Sequence, residues 1–500
     1  MTPEKSYEEL VRISRETTLL ASCHQLLQWD AEICMPRAGV QHRGEQMALI
    51  AGLAHDRATD PRLGDLLGTV EGSSLVADPE SVEAVNVRER RRDYDRETKL
   101  PRRLVEELAR VSAMSSQAWS EARDHDDFAS FAPWLEKTFE LAREKADAYG
   151  YTSARYDALL DEYEPGMTTA QLTDLFTGLR AQLVPLVDSL RDSSSESKSE
   201  ASAGEFPLDR QRKFSEGVAV KLGFDIEGGR FDLGPHPFCT FLGPGDVRIA
   251  LRYHTDNFSS GFLAVLHEMG HALYEQGLDP AHYGTPMGEA VSLGIHESQS
   301  RMWENLVGRS EGFWRHFYPQ LQSAFREPLM NVSVDAFRRE MNVVRPGLIR
   351  VEADEVTYNL HVIIRFELER ALLDGDLRAA DLPGAWAELY RKYLGLTPAN
   401  DRLGSLQDIH WSEGLIGYFP TYTLGNVYAA QLFATADREI GPLEEKFAAG
   451  EFSPLREWLR EKIHCHGKRY RATQLIERTT GKSLDPSALI ANLSHRYAPA

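Results

Sequence analysis

The sequence predicts a mainly α fold with one small β element, and three features carry this prediction. Apolar residues recur at helical spacing through most of the first 190 residues. Alternating apolar residues occur at 238–253, where a Gly/Pro turn separates two runs and predicts an antiparallel β-hairpin. Directly after it, 260–276 has a helical pattern, with Asn257 among its N-cap candidates and Gly277 as its C-cap candidate.

The domain organisation is predicted to be simple. We expect one helical domain over 1–500, because no strong linker interrupts the pattern. Its N-terminal helical part covers about 1–190, and its C-terminal part, about 207–500, carries the residues expected to perform catalysis. The polar segment at about 192–204 is predicted to be a mobile loop within that domain, since helical periodicity resumes after it.

Composition and charge exclude several classes of partner. The net charge of −20 argues against nucleic acid and acidic membrane surfaces. The start, MTPEKSYEEL, lacks the apolar core of a signal peptide, and no stretch approaches 18 apolar residues. The four cysteines are widely spread without a CxxC pair, which is typical of reduced thiols. We therefore expect a cytoplasmic protein.

The most informative motif is HEMGH at 267–271, inside the predicted helix. Residues four apart share a helix face, so His267 and His271 can bind one Zn²⁺ at ~2.0–2.1 Å. Glu268 can take the proton of an activated water molecule. The neighbouring residues are apolar, and a buried cluster of imidazoles and a carboxylate is costly without a bound partner. The motif thus predicts metal-assisted hydrolysis, most often of a peptide bond.

A third ligand is expected downstream, because zinc in a hydrolase usually takes three protein ligands and keeps one position for water. The segment GIHESQSR offers His296 and Glu297. The Gly/Pro-rich stretch before it can return the chain as a second helix. The spacing favours Glu297, since two histidines and a glutamate form the zinc peptidase pattern, and it leaves His296 as the alternative.

Several separate motifs, over nearly the whole length, resemble those of the carboxypeptidase Taq family of metallocarboxypeptidases. They are WDAEICMP at 29–36, HPF at 236–238, DVRIA at 246–250, HEMGH at 267–271, HESQS at 296–300, IRVEAD at 349–354 and GSLQDIHW at 404–411. The resemblance implies a large helical metallopeptidase fold with a long substrate groove. It implies release of single residues from peptides with a free C-terminus, a homodimer, and Glu297 as the third metal ligand. One departure is Ala250, where the family motif usually ends in threonine, so one side-chain hydrogen bond is in doubt.

The same resemblance implies roles outside the metal motif. Arg350 in IRVEAD is the candidate anchor for the terminal carboxylate of the substrate, since a guanidinium binds a carboxylate with two hydrogen bonds. His410 in GSLQDIHW is the first candidate donor to the oxyanion, followed by Tyr422 and then Tyr418. Either tyrosine could equally be a buried residue with a satisfied hydroxyl. His236 in HPF is a candidate substrate-binding residue.

Arg350 also opens a run of polar residues at helical spacing. The run comprises Arg350, Asp354, Tyr358, His361 and Arg365. The spacing predicts a shared polar stripe, which could be a salt-bridged helix face or could line the groove.

We expect one divalent metal ion per chain, Zn²⁺ first, with Co²⁺ or Mn²⁺ as alternatives. Two other functions stay open at this level. One is an endo-acting metallo-oligopeptidase with the same metal site, and the other is a non-catalytic helical scaffold. A structural zinc site normally has four protein ligands, whereas three ligands and a base are evident in this sequence, which disfavours the scaffold.

Overall fold

The computed structural model describes residues 1–193 and 204–497 and confirms the mainly α architecture. The α-helices are α1 (Pro3–Ile33), α2 (Val40–Ala58), α3 (Pro61–Glu71), α4 (Val82–Lys99), α5 (Arg102–His125), α6 (Phe128–Tyr149), α7 (Arg155–Leu160), α8 (Thr169–Ser193), α9 (Leu208–Leu222), α10 (Phe258–Gly277), α11 (Leu293–Arg301), α12 (Glu311–Ala324), α13 (Arg326–Leu329), α14 (Val334–Met341), α15 (Tyr358–Asp374), α16 (Leu382–Leu394), α17 (Pro420–Ile440), α18 (Leu443–Ala448), α19 (Ser453–Lys462), α20 (Ala472–Thr480) and α21 (Ser487–Tyr497). The strands are β1 (Gly229–Leu233), β2 (Phe238–Gly243) and β3 (Asp246–Leu251). The predicted loop at 192–204 lies outside the described residues, except that its first two residues end α8 and its last is described.

The three strands form one small sheet in the order β1-β3-β2. β2 and β3 pair antiparallel, so the predicted hairpin is confirmed. β1 pairs parallel with β3 and was not predicted. Its sequence, GRFDL, alternates one buried phenylalanine with an arginine and an aspartate that bind each other, which is a weak strand signal. In β3, Ala250 is fully buried, so its methyl group needs no hydrogen-bond partner there.

Backbone packing divides the chain into two compact units. The first comprises Met1–Thr98, Ser199–Met341 and Leu432–Gly481. Within it, α10 is buried on several faces, and its first turns lie in a cluster of aromatic rings. Phe262 stacks on Phe258 at 5.3 Å between ring centroids and lies 5.4 Å from the ring of Trp314. This packing fixes the helix that carries HEMGH.

The second unit comprises Lys99–Lys198, Asn342–Gln431 and Lys482–Ala500. Its central helix, α15, is almost wholly buried and packs against α6, α7, α8 and α16. Each unit is assembled from separate chain segments. The single domain predicted over 1–500 stays a prediction. Among the described residues, no helix combines the length and apolar character needed to cross a bilayer.

Candidate metal centre

Helix α10 presents the two histidines of HEMGH on one face. The helix begins after Asn257, whose side chain accepts a hydrogen bond from the Ser260 amide at 3.0 Å, as predicted. Its C-terminus differs from the prediction, since Gly277 is the last helical residue and Leu278 is the cap. The ring centroids of His267 and His271 lie 4.9 Å apart. The helical spacing thus brings both imidazoles to one place.

Helix α11 brings Glu297 to these imidazoles, and Gly270 permits its approach. A Cβ atom on Gly270 would lie 2.5 Å from the Cα of Ser300 and 2.6 Å from the carbonyl oxygen of Gln299. Such distances are far below a normal carbon contact, so a side chain at this position would separate the two helices. The glycine between the two histidines therefore has a packing role.

The donor atoms have the spacing of a ligand set for one metal ion. The Oε2 atom of Glu297 lies 3.6 Å from His267 Nε2 and 3.4 Å from His271 Nε2. All three donor atoms lie within 4.8 Å of one another. Tetrahedral bonds of ~2.0–2.1 Å separate neighbouring donors by about 3.3 Å. Two imidazole nitrogens and a carboxylate oxygen at these distances fit a divalent metal ion.

His296, the alternative third ligand, has a different partner. Its Nε2 lies 2.8 Å from Glu275 Oε1, and its ring stacks on His271 with centroids 4.4 Å apart. It is absent from the metal-ligand group found among the described residues. His296 thus supports the ring of His271, while Glu297 completes the group.

Two further residues, which the sequence analysis missed, hold the candidate ligands in place. His267 Nδ1 lies 2.9 Å from Glu304 Oε2, and Arg301 Nε donates to Glu297 Oε1 at 2.7 Å. Arg301 Nη1 also donates to Glu304 Oε2 at 3.2 Å. Glu304 lies in a π-helical turn, Met302–Val307, which continues α11. Arg301 and Glu304 follow Glu297 by four and seven positions, and residues at this spacing share a helix face. This spacing could therefore have revealed both residues.

The electrostatics of the site favour a bound cation. Burial opposes ionisation of Glu297 and Glu304, but Arg301 and His267 outweigh it. The pKa of Glu297 is therefore well below its usual value, and that of Glu304 is lowered to about 2. Burial also lowers the pKa of His267, but Glu297 and Glu304 outweigh it and raise that pKa to about 8. The carboxylates thus stay ionised and stabilise positive charge.

Glu268 differs from the other two carboxylates. It is buried, and this burial raises its pKa to about 7, against the opposing effect of His267. A carboxylate with a pKa near neutrality can both accept and return a proton. The site therefore contains two carboxylates that stay ionised, Glu297 and Glu304, and one, Glu268, that can carry a proton.

Arg350 is buried within the second unit and is 4% exposed. Its Nε and Nη2 donate to Asp408 Oδ1 at 3.0 and 2.8 Å, and its Nη1 donates to the Tyr358 hydroxyl at 2.9 Å. It lies in a short 3₁₀ turn, Arg350–Glu352, and not on α15. The predicted helical stripe is therefore wrong for Arg350 and Asp354, because α15 begins only at Tyr358. Asp408 pairs with both Arg350 and Arg365 and so connects these two residues of the run.

His410 lies beside the two candidate tyrosines in the second unit. Its Nε2 is 3.1 Å from the hydroxyl of Tyr422, and its ring centroid lies 5.5 Å from that of Tyr418. Burial lowers the pKa of His410 to about 4 despite the nearby Asp408. The guanidinium carbon of Arg350 lies 5.0 Å from the ring centroid of Tyr422. The structure thus brings these predicted residues together within this unit.

His236 lies apart from the metal ligands. Its side chain is 62% exposed, and its Nε2 lies 3.5 Å from Glu32 Oε2. Its ring faces Phe238 with centroids 5.3 Å apart, and Phe238 in turn packs against Trp29. The WDAEICMP and HPF motifs therefore contact each other, a relation that sequence spacing could not reveal.

Comparison with known proteins identifies the family. Residues 9–497 match the model of the carboxypeptidase Taq (M32) metallopeptidase family. The chain is 49% identical to thermostable carboxypeptidase 1 of Thermus thermophilus, over 100% of this chain and 99% of that protein. It is 36% identical to carboxypeptidase 1 of Bacillus subtilis, over 99% and 98%. The crystal structure of the M32 carboxypeptidase of Deinococcus radiodurans superposes with a TM-score of 0.95 at 41% identity, covering 99% of both chains.

A mainly helical fold with two histidines and a glutamate that could hold one metal ion fits a metal-dependent peptidase. The chain belongs to the carboxypeptidase Taq (M32) metallopeptidase family. It is thus a metallocarboxypeptidase that uses a divalent metal ion and acts on peptides, and the resemblance seen in the sequence is confirmed.

Replacing Gly270 with alanine is expected to weaken metal binding. The added methyl group would push α11 away from α10 and cost about 1–3 kcal/mol in the free energy of unfolding. Titration of the metal against a chromophoric chelator should show at least tenfold lower affinity. Gly217→Ala, in α9, is the matched control, because its methyl group would enter open space. It should keep the affinity and gain about 0.5–1 kcal/mol of stability. Equal affinities for the two variants would contradict the packing role.

Replacing Glu304 with glutamine is expected to lower metal affinity about 10- to 100-fold, because His267 loses the carboxylate that orients its ring. The same chelator competition measures this effect. Glu311→Gln removes a carboxylate from the partly exposed start of α12 and serves as the control. An unchanged affinity for Glu304→Gln would show that the ring is oriented by its packing alone.

Proposed function

We propose that this metallocarboxypeptidase releases single C-terminal residues at a zinc centre held by His267, His271 and Glu297, with Glu268 as the general base. The observation that carries the proposal is the convergence of two imidazole nitrogens and a carboxylate oxygen beside a buried glutamate of raised pKa. Zinc is favoured because two histidines and a glutamate suit it, with Co²⁺ and Mn²⁺ as alternatives.

The bound ion supplies Lewis-acid chemistry, which polarises the scissile carbonyl and makes water more acidic. Glu268 takes the proton from the attacking water and then gives it to the departing amine. Its buried surroundings raise its pKa to about 7, which suits a residue that accepts a proton and then returns it. Glu304 and Arg301 keep His267 and Glu297 in position through both transfers.

The other residues proposed for the reaction, apart from His236, lie within the second unit. We assign Arg350 as the anchor for the terminal carboxylate, His410 as the first donor to the oxyanion, and Tyr422 as the second donor ahead of Tyr418. The low pKa of His410 supports this role, because a neutral imidazole can donate one N–H without binding a second proton. His236 is assigned a minor part in substrate binding, since its side chain is exposed.

The remaining proposals concern assembly and location. We propose a homodimer, which the family resemblance supports. We propose a cytoplasmic location, which the thiols support, since all four cysteines are free.

Mass spectrometry of an unstructured peptide incubated with the Zn²⁺-loaded protein tests the reaction. We expect a ladder of products that lose one C-terminal residue at a time, and much slower loss from the C-terminally amidated twin. Glu268→Gln should slow the ladder about 10²- to 10⁴-fold while binding the metal normally, because Glu268 is a base and not a ligand. Internal fragments from both peptides would contradict exopeptidase action, and full activity of Glu268→Gln would contradict its role.

Arg350→Ala tests the proposed carboxylate anchor. Loss of charge-assisted hydrogen bonds, worth about 1.5–3 kcal/mol, should lower kcat/KM for free-ended peptides about 10- to 150-fold. The amidated peptide should lose far less, because it has no carboxylate to bind. Arg370→Ala, which removes an arginine that donates to Thr173 on α8, is the matched control. Equal losses on free and amidated peptides would assign Arg350 a structural role only.

A further inference from the structure

Glu369 is a buried carboxylate that the proposed mechanism does not use. It lies on α15, is 0% exposed, and belongs to the second unit. An ionised carboxylate without water costs several kcal/mol unless donors surround it. Its presence on an almost wholly buried helix therefore calls for a specific set of partners.

Three donors converge on this carboxylate. The Tyr156 hydroxyl donates to Oε2 at 2.6 Å, the Trp411 indole N–H donates to Oε1 at 2.8 Å, and the Gly417 amide donates to Oε2 at 3.3 Å. An indole and a backbone amide can only donate, so the site suits an ionised carboxylate and not an amide side chain. Burial raises the pKa of Glu369 to about 7, against the opposing effect of Tyr156, Trp411 and Gly417.

Two of these donors border one short segment of the chain. Trp411 directly follows His410, and Gly417 directly precedes Tyr418. The carboxylate of Glu369 therefore binds both ends of the segment 411–417. This segment separates His410, the proposed oxyanion donor, from Tyr418.

The backbone between these ends is folded tightly. The Leu415 amide donates to the His410 carbonyl at 2.9 Å, and the Gly414 amide donates to the Trp411 carbonyl at 3.1 Å. Gly417 has a φ of +92°, and a Cβ atom there would lie 3.0 Å from the backbone nitrogen of Leu160. The segment can thus bring its end amide to Glu369 only with glycine at that position.

The position of the His410 ring among its neighbours depends on the same segment. The His410 ring lies 4.4 Å from that of Phe419 and 5.5 Å from that of Tyr418. The Trp411 ring contacts Phe139 and Trp386 at centroid distances of 6.2 and 6.0 Å. Displacement of Trp411 would therefore move His410 through the peptide bond that joins them.

We infer that Glu369 is a positioning residue, which fixes the 411–417 segment and thereby the orientation of His410. The inference rests on the proposed function in one respect, the role of His410 in the reaction. It assigns to Glu369 no contact with substrate or metal.

The test compares Glu369→Gln with Glu164→Gln in the Zn²⁺-loaded, full-length protein. Glu164 is the matched control, because it is also buried in the second unit and accepts from the Tyr428 hydroxyl at 2.8 Å. Glu369→Gln should lower kcat about 10²-fold with little change in KM, the scale expected when a catalytic group is misplaced by about 1 Å. Glu164→Gln should lower the Tm while leaving kcat within a factor of two.

A spectroscopic readout separates positioning from a loss of stability. Labelling with 5-fluorotryptophan gives each indole a ¹⁹F signal, and Trp411→Phe identifies the signal of Trp411. In Glu369→Gln that signal should move, whereas in Glu164→Gln it should stay. If Glu369→Gln does not fold, Trp411→Phe replaces it in the kinetic test, because it removes the indole donor but keeps an aromatic ring.

The outcomes distinguish this inference from the proposed function. His410→Ala is measured in parallel. An unmoved Trp411 signal in Glu369→Gln overturns the positioning role, and so does a wild-type kcat in that variant when His410→Ala lowers kcat. If His410→Ala keeps the wild-type kcat while Glu369→Gln moves the Trp411 signal, the proposed role of His410 fails, and the positioning of 411–417 by Glu369 stands.

Discussion

At Gly270 the backbone of α11 approaches α10 so closely that one methyl group would overlap it. The rest of the metal centre depends on this approach. The helical spacing of HEMGH aligns two imidazoles, but a third donor is brought to them only by a second helix. A larger residue at 270 would widen the gap between the helices, and Glu297 would move away from the imidazole nitrogens, now 3.4 and 3.6 Å from its oxygen. Packing thus determines the metal chemistry.

The cost of burying charged side chains is the second constraint, and each unit reduces this cost with a different network. In the first unit, Arg301 lies between two carboxylates and keeps both ionised. In the second unit, Asp408 lies between Arg350 and Arg365, which hold its pKa below the usual range against the effect of burial. In each network the buried carboxylates pair directly with arginine, which offsets part of the cost of burying them. Removal of Asp408, for example, would leave two buried arginines without their shared carboxylate.

The sequence predicted the parts of the structure that follow from local periodicity. Helix α10 with its N-cap Asn257 and the hairpin β2–β3 were predicted correctly, because each has a clear period. Strand β1 was missed, since its register with β3 is set by pairing and not by its own residues. Arg350 was placed on a helix stripe by spacing alone, yet the chain before α15 forms only a 3₁₀ turn. Spacing does not show where a helix begins.

The same distinction applies to the candidate site. Motifs identified the residues that could bind metal or substrate, because chemistry restricts those residue types. Glu304 and Glu369 carry no motif. The spacing from Glu297 could have indicated Glu304, whereas the importance of Glu369 appears only from the atoms that it contacts. A glutamate in a helical pattern is ordinarily a solvated side chain, so nothing in its sequence position marks it as buried. A residue that orients another residue is recognised from its contacts in three dimensions. Sequence motifs therefore identify the reacting residues more readily than the residues that hold them in position.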